Sequence, residues 1–263
     1  MTSTLAVVVA HPDDDTFGCA GTVALHADDA GFRFVLIHVT SGEAGQIADE
    51  ALATRQTLGA VREEEDRLSW VALGRPPDRH ELFRYPDHQV DEQPYDELVG
   101  RLAEVFEQER PDVVITFGPD GVTGHPDHIT TGRGATEAFH RVRRAGEGPG
   151  LRRLLHQAIP QSMLDEWNRR LVASGKEPMD PTQLYQPRGV PDDELGVLID
   201  CRTVVDRKLA ALEEHRTQSG GMQDMSEEER RTALSFESHV IAWPEHAPGA
   251  PPLTDVFGSL DER

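Results

Sequence analysis

The chain has 263 residues, 37 % apolar and 28 % charged, the balance of an ordinary globular protein long enough to bury a sizeable core as one large domain or two small ones. Its 47 acidic against 26 basic side chains give a net charge of −21, which argues against nucleic acid or an anionic membrane as partner, since both select a basic footprint. Cys19 and Cys201 are too few for a disulfide framework, no stretch has the layout of a signal peptide, and no apolar run reaches the roughly 18 residues of a membrane span, so a reduced, cytoplasmic protein is expected.

In chain order, "LAVVVA" (5–10) reads as a buried strand and "GTVALHADDAG" (21–31) as a helix closed by Gly31. "FRFVLIHVT" (32–40) is a second strand ending in the turn-like "SGEAG", and the amphipathic stretch 51–74 is a helix with Gly74 and Pro76 as stop signals. "HELFRY" is a third strand, 95–110 a helix broken by Pro111, "DVVITF" (112–117) a fourth strand, and a further helix runs from the loop "GPDGVTGHPDH" to about Arg144. Strands alternating with helices predict an α/β fold with a mostly parallel, Rossmann-like sheet covered by helices on both faces.

The second half is less regular. "GEGPG" (146–150) marks a turn, "LLHQAI" and "GVLIDC" (196–201) look like strands flanking a polar, proline-bearing section, and 202–220 reads as a helix stopped by Gly220 and Gly221. The proline-rich tail after Trp243 is expected to wrap the surface as loop. With no internal repeat and no linker, the expectation is one domain over 1–263, with a core over about 4–145 and an irregular C-terminal extension over about 146–263.

The chemistry sits at two strand ends. "AHPDDD" (10–15) puts His11, Asp13, Asp14 and Asp15 directly after the first strand, at the carboxyl edge where open α/β sheets bind ligands. One aspartate would serve as a helix cap, but three with a histidine repel one another unless a positive charge sits among them. "GHPDH" (124–128) places a second His/Asp cluster after the fourth strand. Two histidines and one carboxylate with a position left for water is the pattern of a catalytic zinc rather than of a closed structural one.

"AHPDDD", "SGEAG", "GPDGVTGHPDH" and "KLAALEEHRTQS", in this order and spacing, resemble the LmbE-like (PIG-L) superfamily of zinc-dependent N-acetylglucosaminyl deacetylases, which includes deacetylases and amidases of mycothiol and bacillithiol metabolism; the similarity covers roughly residues 4–220. The resemblance implies a Rossmann-like fold and removal of an N-acyl group, acetyl in the family, from an N-acetylglucosamine-type amino sugar or its conjugate. Carried over by position, it implies His11, Asp14 and His128 as ligands of one Zn²⁺, with Fe²⁺ as a possible substitute, Asp13 as general base, His125 as general acid and Asp127 orienting His125. The chemistry asks for the same types: zinc lowers the pKa of water to about 7 and polarises the acyl oxygen, Asp13 accepts the water's proton, and His125 protonates the amine. The family more commonly has Glu where this chain has Asp15.

Weaker signals accompany these. Arg62 and Glu65 resemble the family's Arg-x-x-Glu helix, so that Arg62 either touches substrate hydroxyls or belongs to a solvated charged face. Asp87 in "YPDHQV" either binds sugar hydroxyls or forms a turn, and His215 reads as structural or as lining a pocket. Cys19 reads as a small core residue, and the other histidines, His38 and His80 among them, have no partner pattern. The alternatives are a mycothiol-conjugate-type amidase, an idle metal- or sugar-binding module of the same fold, or a metallophosphoesterase. The presence of Asp13 disfavours the module, and the lack of a second carboxylate-rich cluster and of a phosphate loop disfavours the phosphoesterase. The partner implied is a small-molecule substrate; a homo-oligomer stays open.

Overall fold

A computed structural model describes residues 3–146, 148–218, 225–247 and 249–260. In chain order these form β1 (Ser3–Val9), α1 (Asp14–Leu25), β2 (Phe32–Thr40), α2 (Leu58–Leu73), β3 (Arg79–Tyr85), α3 (Tyr95–Glu109), β4 (Val113–Phe117), α4 (Pro126–Ala145), β5 (Arg153–Gln157), β6 (Ile159–Pro160), α5 (Gln161–Ala173), β7 (Gly189–Val190), β8 (Val197–Asp200), α6 (Val205–Glu213), α7 (Glu227–Leu234) and β9 (Phe236–Trp243). Seven strands make one sheet in the order β3-β2-β1-β4-β5-β9-β8; the first five are mutually parallel and β9 runs antiparallel to both its neighbours.

β1 reads as an unbroken apolar run because both its faces are covered. Leu5, Val7 and Val9 pack with Phe34, Leu36 and Trp70 under α1, α2 and α6, while Ala6 and Val8 pack with Leu98, Leu102 and Phe139 under α3 and α4. The chain leaves β1 toward β2 on one side and reaches β4 on the other, so the topological switch point lies between β1 and β4. There the loops after these two strands flank one crevice, the place where such sheets bind ligands.

Three differences from the sequence expectations have physical causes. Helix α1 starts at Asp14, well before residue 21, since Asp14 and Asp15 favour its positive end; Gly21 lies inside it because an added Cβ would come within 2.3 Å of Cys201 Sγ. Helix α2 starts at Leu58 rather than at 51, and α6 ends at Glu213, after which the described chain to 218 continues in turns. The Gly220–Gly221 stop, and Glu147 of the expected turn, lie outside the described residues. The second half also holds α5, α7 and β9, none of them anticipated. Ser226 and Glu229 close a reciprocal capping box at the start of α7.

A buried ion pair joins the two halves beneath α1. Lys208 Nζ lies 2.6 Å from Glu237 Oε1 and donates to the Phe17 carbonyl at 3.0 Å, and Glu237 accepts from the Gly21 and Thr22 amides at 2.7 and 2.8 Å and from the Thr22 hydroxyl at 2.7 Å. Removing one partner strands the other charge in the interior. Lys208→Met should therefore cost about 3–5 kcal/mol, read as a lower urea midpoint at unchanged slope; a loss below about 1 kcal/mol would mean that the pair does not hold α1 in place.

Candidate metal centre

His11, Asp14 and His128 converge across the crevice. His11 Nδ1 is 3.2 Å from His128 Nε2 and 3.3 Å from Asp14 Oδ2, and His128 Nε2 is 3.3 Å from Asp14 Oδ1. Ligand atoms placed tetrahedrally at about 2.0 Å from one ion stand roughly 3.3 Å apart, so these three separations suit a single Zn²⁺-sized cation. Each ring is held by its other nitrogen. His128 Nδ1 bonds the Gly121 carbonyl at 3.0 Å while the ring stacks on Phe117, 4.1 Å between centroids. His11 Nε2 faces Asp87 Oδ1 at 2.9 Å and Asp127 Oδ2 at 3.3 Å. A proton on that nitrogen leaves Nδ1 as the ligating lone pair, the usual way in which carboxylates fix a metal-binding imidazole.

The electrostatics also ask for a cation. Burial alone would lower the pKa of His11, yet bonds to Asp127, Asp14 and Asp87 raise it well above the ordinary histidine value. Burial would likewise raise Asp14, but His128 and His11 hold it well below the usual carboxylate range. The cluster needs positive charge, from a proton or from a metal. His125 lies within 4.8 Å of the ligating nitrogens of His11 and His128, and Asp87 and Asp127 form a second grouping on the far edge of His11. The Nδ1 of His125 is taken by the Asp127 amide, and the far edge is occupied by one imidazole proton shared between two carboxylates.

Three expected roles change. Asp127 does not orient His125 through its carboxylate: that group supports His11 and accepts from the His88 and Val90 amides at 2.7 and 3.2 Å, and it is the Asp127 backbone N–H that donates to His125 Nδ1 at 3.1 Å. His125 therefore carries its proton on Nε2, and burial, with His11 and His128 beside it, pushes its pKa down to about 4. Asp87 bonds His11, its other oxygen accepts from the Ala44 amide at 2.8 Å, and the whole residue is buried. Arg62 is buried rather than solvated; it bonds the Pro12 carbonyl at 2.5 Å, the Gly42 carbonyl at 2.9 Å and Asp13 Oδ2 at 3.3 Å. "SGEAG" thereby gains a reason: Gly42 (φ +64°) leaves space for the guanidinium, and Glu43 and Ala44 hold Asp87.

Asp13 stands beside the ligands but bonds neither histidine. It sits at φ 106°, a conformation costing on the order of 1–3 kcal/mol for a non-glycine residue and found mostly where function over-determines the backbone. Its amide donates to Asp15 Oδ1 at 3.2 Å and its carboxylate meets Arg62. Burial raises its pKa to about 6 against the pull of Arg62. His215 is buried with Nε2 on Thr16 at 3.1 Å, a structural place, and Glu65 ties α2 to Thr217.

Beside Asp14 and His128 opens a cavity of about 480 Å³, lined chiefly by apolar side chains, among them Phe17, Phe117, Met163, Trp167, Met179 and Phe236. Several of these come from α5 and the segment after it, where the sequence shows only polarity and prolines. A helical stripe at Met163, Leu164 and Trp167 was the signal available there.

His11→Ala, Asp14→Ala and His128→Ala should each lose tightly bound metal. Asp127→Asn and Asp87→Asn should keep the ligands but weaken metal affinity about 10- to 100-fold, measured by competition with a chelator of known affinity. Unchanged affinity in both would remove their supporting role.

Residues 6–139 match the family described as PIG-L, GlcNAc-PI de-N-acetylase. The chain is 30 % identical to a 1D-myo-inositol 2-acetamido-2-deoxy-alpha-D-glucopyranoside deacetylase of Saccharopolyspora erythraea, over 81 % of this chain and 77 % of that one, and 31 % identical to the enzyme so described in Saccharomonospora viridis, over 96 % and 99 %. Among solved structures, N,N'-diacetylchitobiose deacetylase from Pyrococcus horikoshii superposes with a TM-score of 0.62 at 23 % identity, covering 94 % of this chain and 84 % of that one, a likeness of fold. The chain belongs to the GlcNAc-PI de-N-acetylase (PIG-L) family and is an enzyme that hydrolyses an amide C–N bond.

Proposed function

We propose that the protein is a zinc-dependent N-deacetylase of an N-acetylglucosamine-type amino sugar carrying an apolar substituent. The observation that carries the reading is the set of separations of 3.2–3.3 Å among His11, Asp14 and His128, with an unligated carboxylate, Asp13, in the next position of the chain. When bound, Zn²⁺ at these residues supplies Lewis acidity toward the acyl oxygen and a water that is nucleophilic near neutral pH. Asp13, ionised above its raised pKa, takes the proton of the attacking water and passes it to the departing amine. Arg62 holds that carboxylate in place and keeps its charged form accessible. His125, neutral with Nε2–H free, donates a hydrogen bond to the acyl oxygen as charge develops there. This replaces the expected general acid: an imidazolium at His125 would turn an Nδ1–H against the Asp127 amide.

The relatives are described as acting on an inositol glycoside, a polyol. The cavity beside Asp14 and His128 is suited instead to an apolar aglycone or acyl chain, since a polyol there would lose water without gaining partners. N-acetylglucosaminides with alkyl or aryl aglycones should then be turned over with lower KM than the inositol glycoside, and Trp167→Ala should raise KM for the apolar substrates alone. Equal KM values for both substrate types would contradict the apolar subsite.

Asp13→Ala should lose about 10²- to 10⁴-fold in kcat with metal content unchanged. A normal turnover would end the proposed role. Activity should fall as pH drops through an acidic limb at or below about 6, because Asp13 must be unprotonated to accept; since neighbouring groups titrate together, that limb belongs to the site as a whole. His125→Ala should cost about 10²- to 10³-fold without moving any alkaline limb, since a group whose pKa is pushed down to about 4 has already lost its extra proton there. A limb that shifts in this variant would restore the general acid.

A further inference from the structure

A second cluster lies behind the catalytic loop, on different elements. His38 of β2, His80 of β3 and Asp66 of α2 bring one ligand atom each within 4.8 Å of the others. His38 Nδ1 is 2.9 Å from His80 Nε2, His80 Nε2 is 3.7 Å from Asp66 Oδ2, and His38 Nε2 is 3.7 Å from Asp66 Oδ1. His38 and Asp66 have no solvent exposure, and His80 retains 21 % of its side-chain surface, an entry path from solvent. Neither oxygen of Asp66 receives an N–H or hydroxyl donor although the residue is wholly buried, and burial with Asp15 beside it pushes its pKa well above the usual carboxylate range.

Such a carboxylate stays charged only where a positive group meets it, and otherwise holds a proton that Asp15 accepts. Around it stand the two imidazoles and, at longer range, the Arg62 guanidinium, together with another carboxylate, Asp15, which shares a hydrogen bond with it; Asp15 Oδ1 is 3.3 Å from His38 Nε2 and its Oδ2 accepts from Trp70 Nε1 at 2.7 Å. That contact reproduces the arrangement at His11. A carboxylate takes the proton of one ring nitrogen, Nε2, and the other, Nδ1, is left facing His80, with Asp66 Oδ1 3.7 Å from Nε2. Separations of 2.9 and 3.7 Å bracket the roughly 3.3 Å expected of ligands around one tetrahedral cation.

We propose that His38, Asp66 and His80 form a second divalent-cation site, zinc by the chemistry of two imidazoles and a carboxylate, distinct from the centre at His11, Asp14 and His128. Bound there, the cation satisfies Asp66 and fixes β2, β3 and α2 to one another. It also holds Asp15, by way of His38, against the Asp13 amide, and so braces the strained residue of the catalytic loop from behind. Its role is structural: no atom of this cluster bonds Asp13's carboxylate or the rings of His11, His125 and His128 among the contacts of the described residues.

The test counts metal on the full-length chain. After stripping with chelator and reloading with excess Zn²⁺, followed by desalting, native mass spectrometry should show two zinc ions in the wild type, one in His80→Ala, one in Asp66→Asn and one in His128→Ala. Asp66→Asn preserves side-chain volume and serves if His80→Ala fails to fold. The second site is overturned if the folded variants at His80 and Asp66 keep the wild-type count. The two readings fail separately. A wild type with one zinc that is lost on changing His80 but kept on changing His128 would support the second site while removing the first.

Discussion

Burial of carboxylates at the carboxyl edge of the sheet is the constraint from which the rest of the centre follows. Asp14, Asp87 and Asp127 surround one buried imidazole, His11, and their mutual repulsion must be offset by positive charge. A proton on one edge of His11 and a cation on the other satisfy the set together. The loops are shaped to that end. "SGEAG" gives the Asp87 carboxylate the Ala44 amide and accepts the Asp87 amide on Glu43, the segment at 88–90 delivers two amides to Asp127, and Gly121 presents a carbonyl to His128. Asp87, which looks like a substrate contact in the sequence, bonds the His11 ring, and Arg62 bonds the Asp13 carboxylate.

The same constraint accounts for Arg62 and for the backbone at Asp13. Arg62 spans from α2 to two loop carbonyls and to the Asp13 carboxylate, one buried cation shared by three acceptors. Asp13 at φ 106° is the point where the chain turns from β1 into α1 with adjacent aspartates sent in different directions: Asp14 to His11 and His128, Asp13 to Arg62. Asp15, one methylene shorter than the usual glutamate, reaches Trp70 and His38 on the opposite side. Three consecutive acids thus serve three environments, which no single helix cap would require.

Much of this was legible in the sequence, and the parts that were not share a cause. The first four strands, their parallel order and the placing of "AHPDDD" and "GHPDH" at one crevice follow from apolar runs, stop signals and the switch-point rule. What the sequence could not show is which ring nitrogen faces which carboxylate: Asp127, one residue from His128 and two from His125, turns to His11, more than a hundred positions away. His38 and His80 carry no spacing signal because β2 and β3 bring them together only through sheet register. The start of α1 was obscured by Gly18 and Gly21, which are glycine for close packing against Gln157 and Cys201 rather than as breakers. In the second half, β9 ("FESHVIAW") has three polar residues followed by four apolar ones and no alternation, and only as the antiparallel partner of both β5 and β8 does it fall into place.

The central claim, a cation on the Nδ1 side of His11, is tested most directly by anomalous diffraction at the zinc absorption edge from crystals of the metal-loaded chain. The account predicts a peak about 2.0–2.2 Å from His11 Nδ1, an Asp14 oxygen and His128 Nε2. A peak on the Nε2 side of His11, among Asp87 and Asp127, or no peak in the crevice of a chain that turns over substrate, would contradict it.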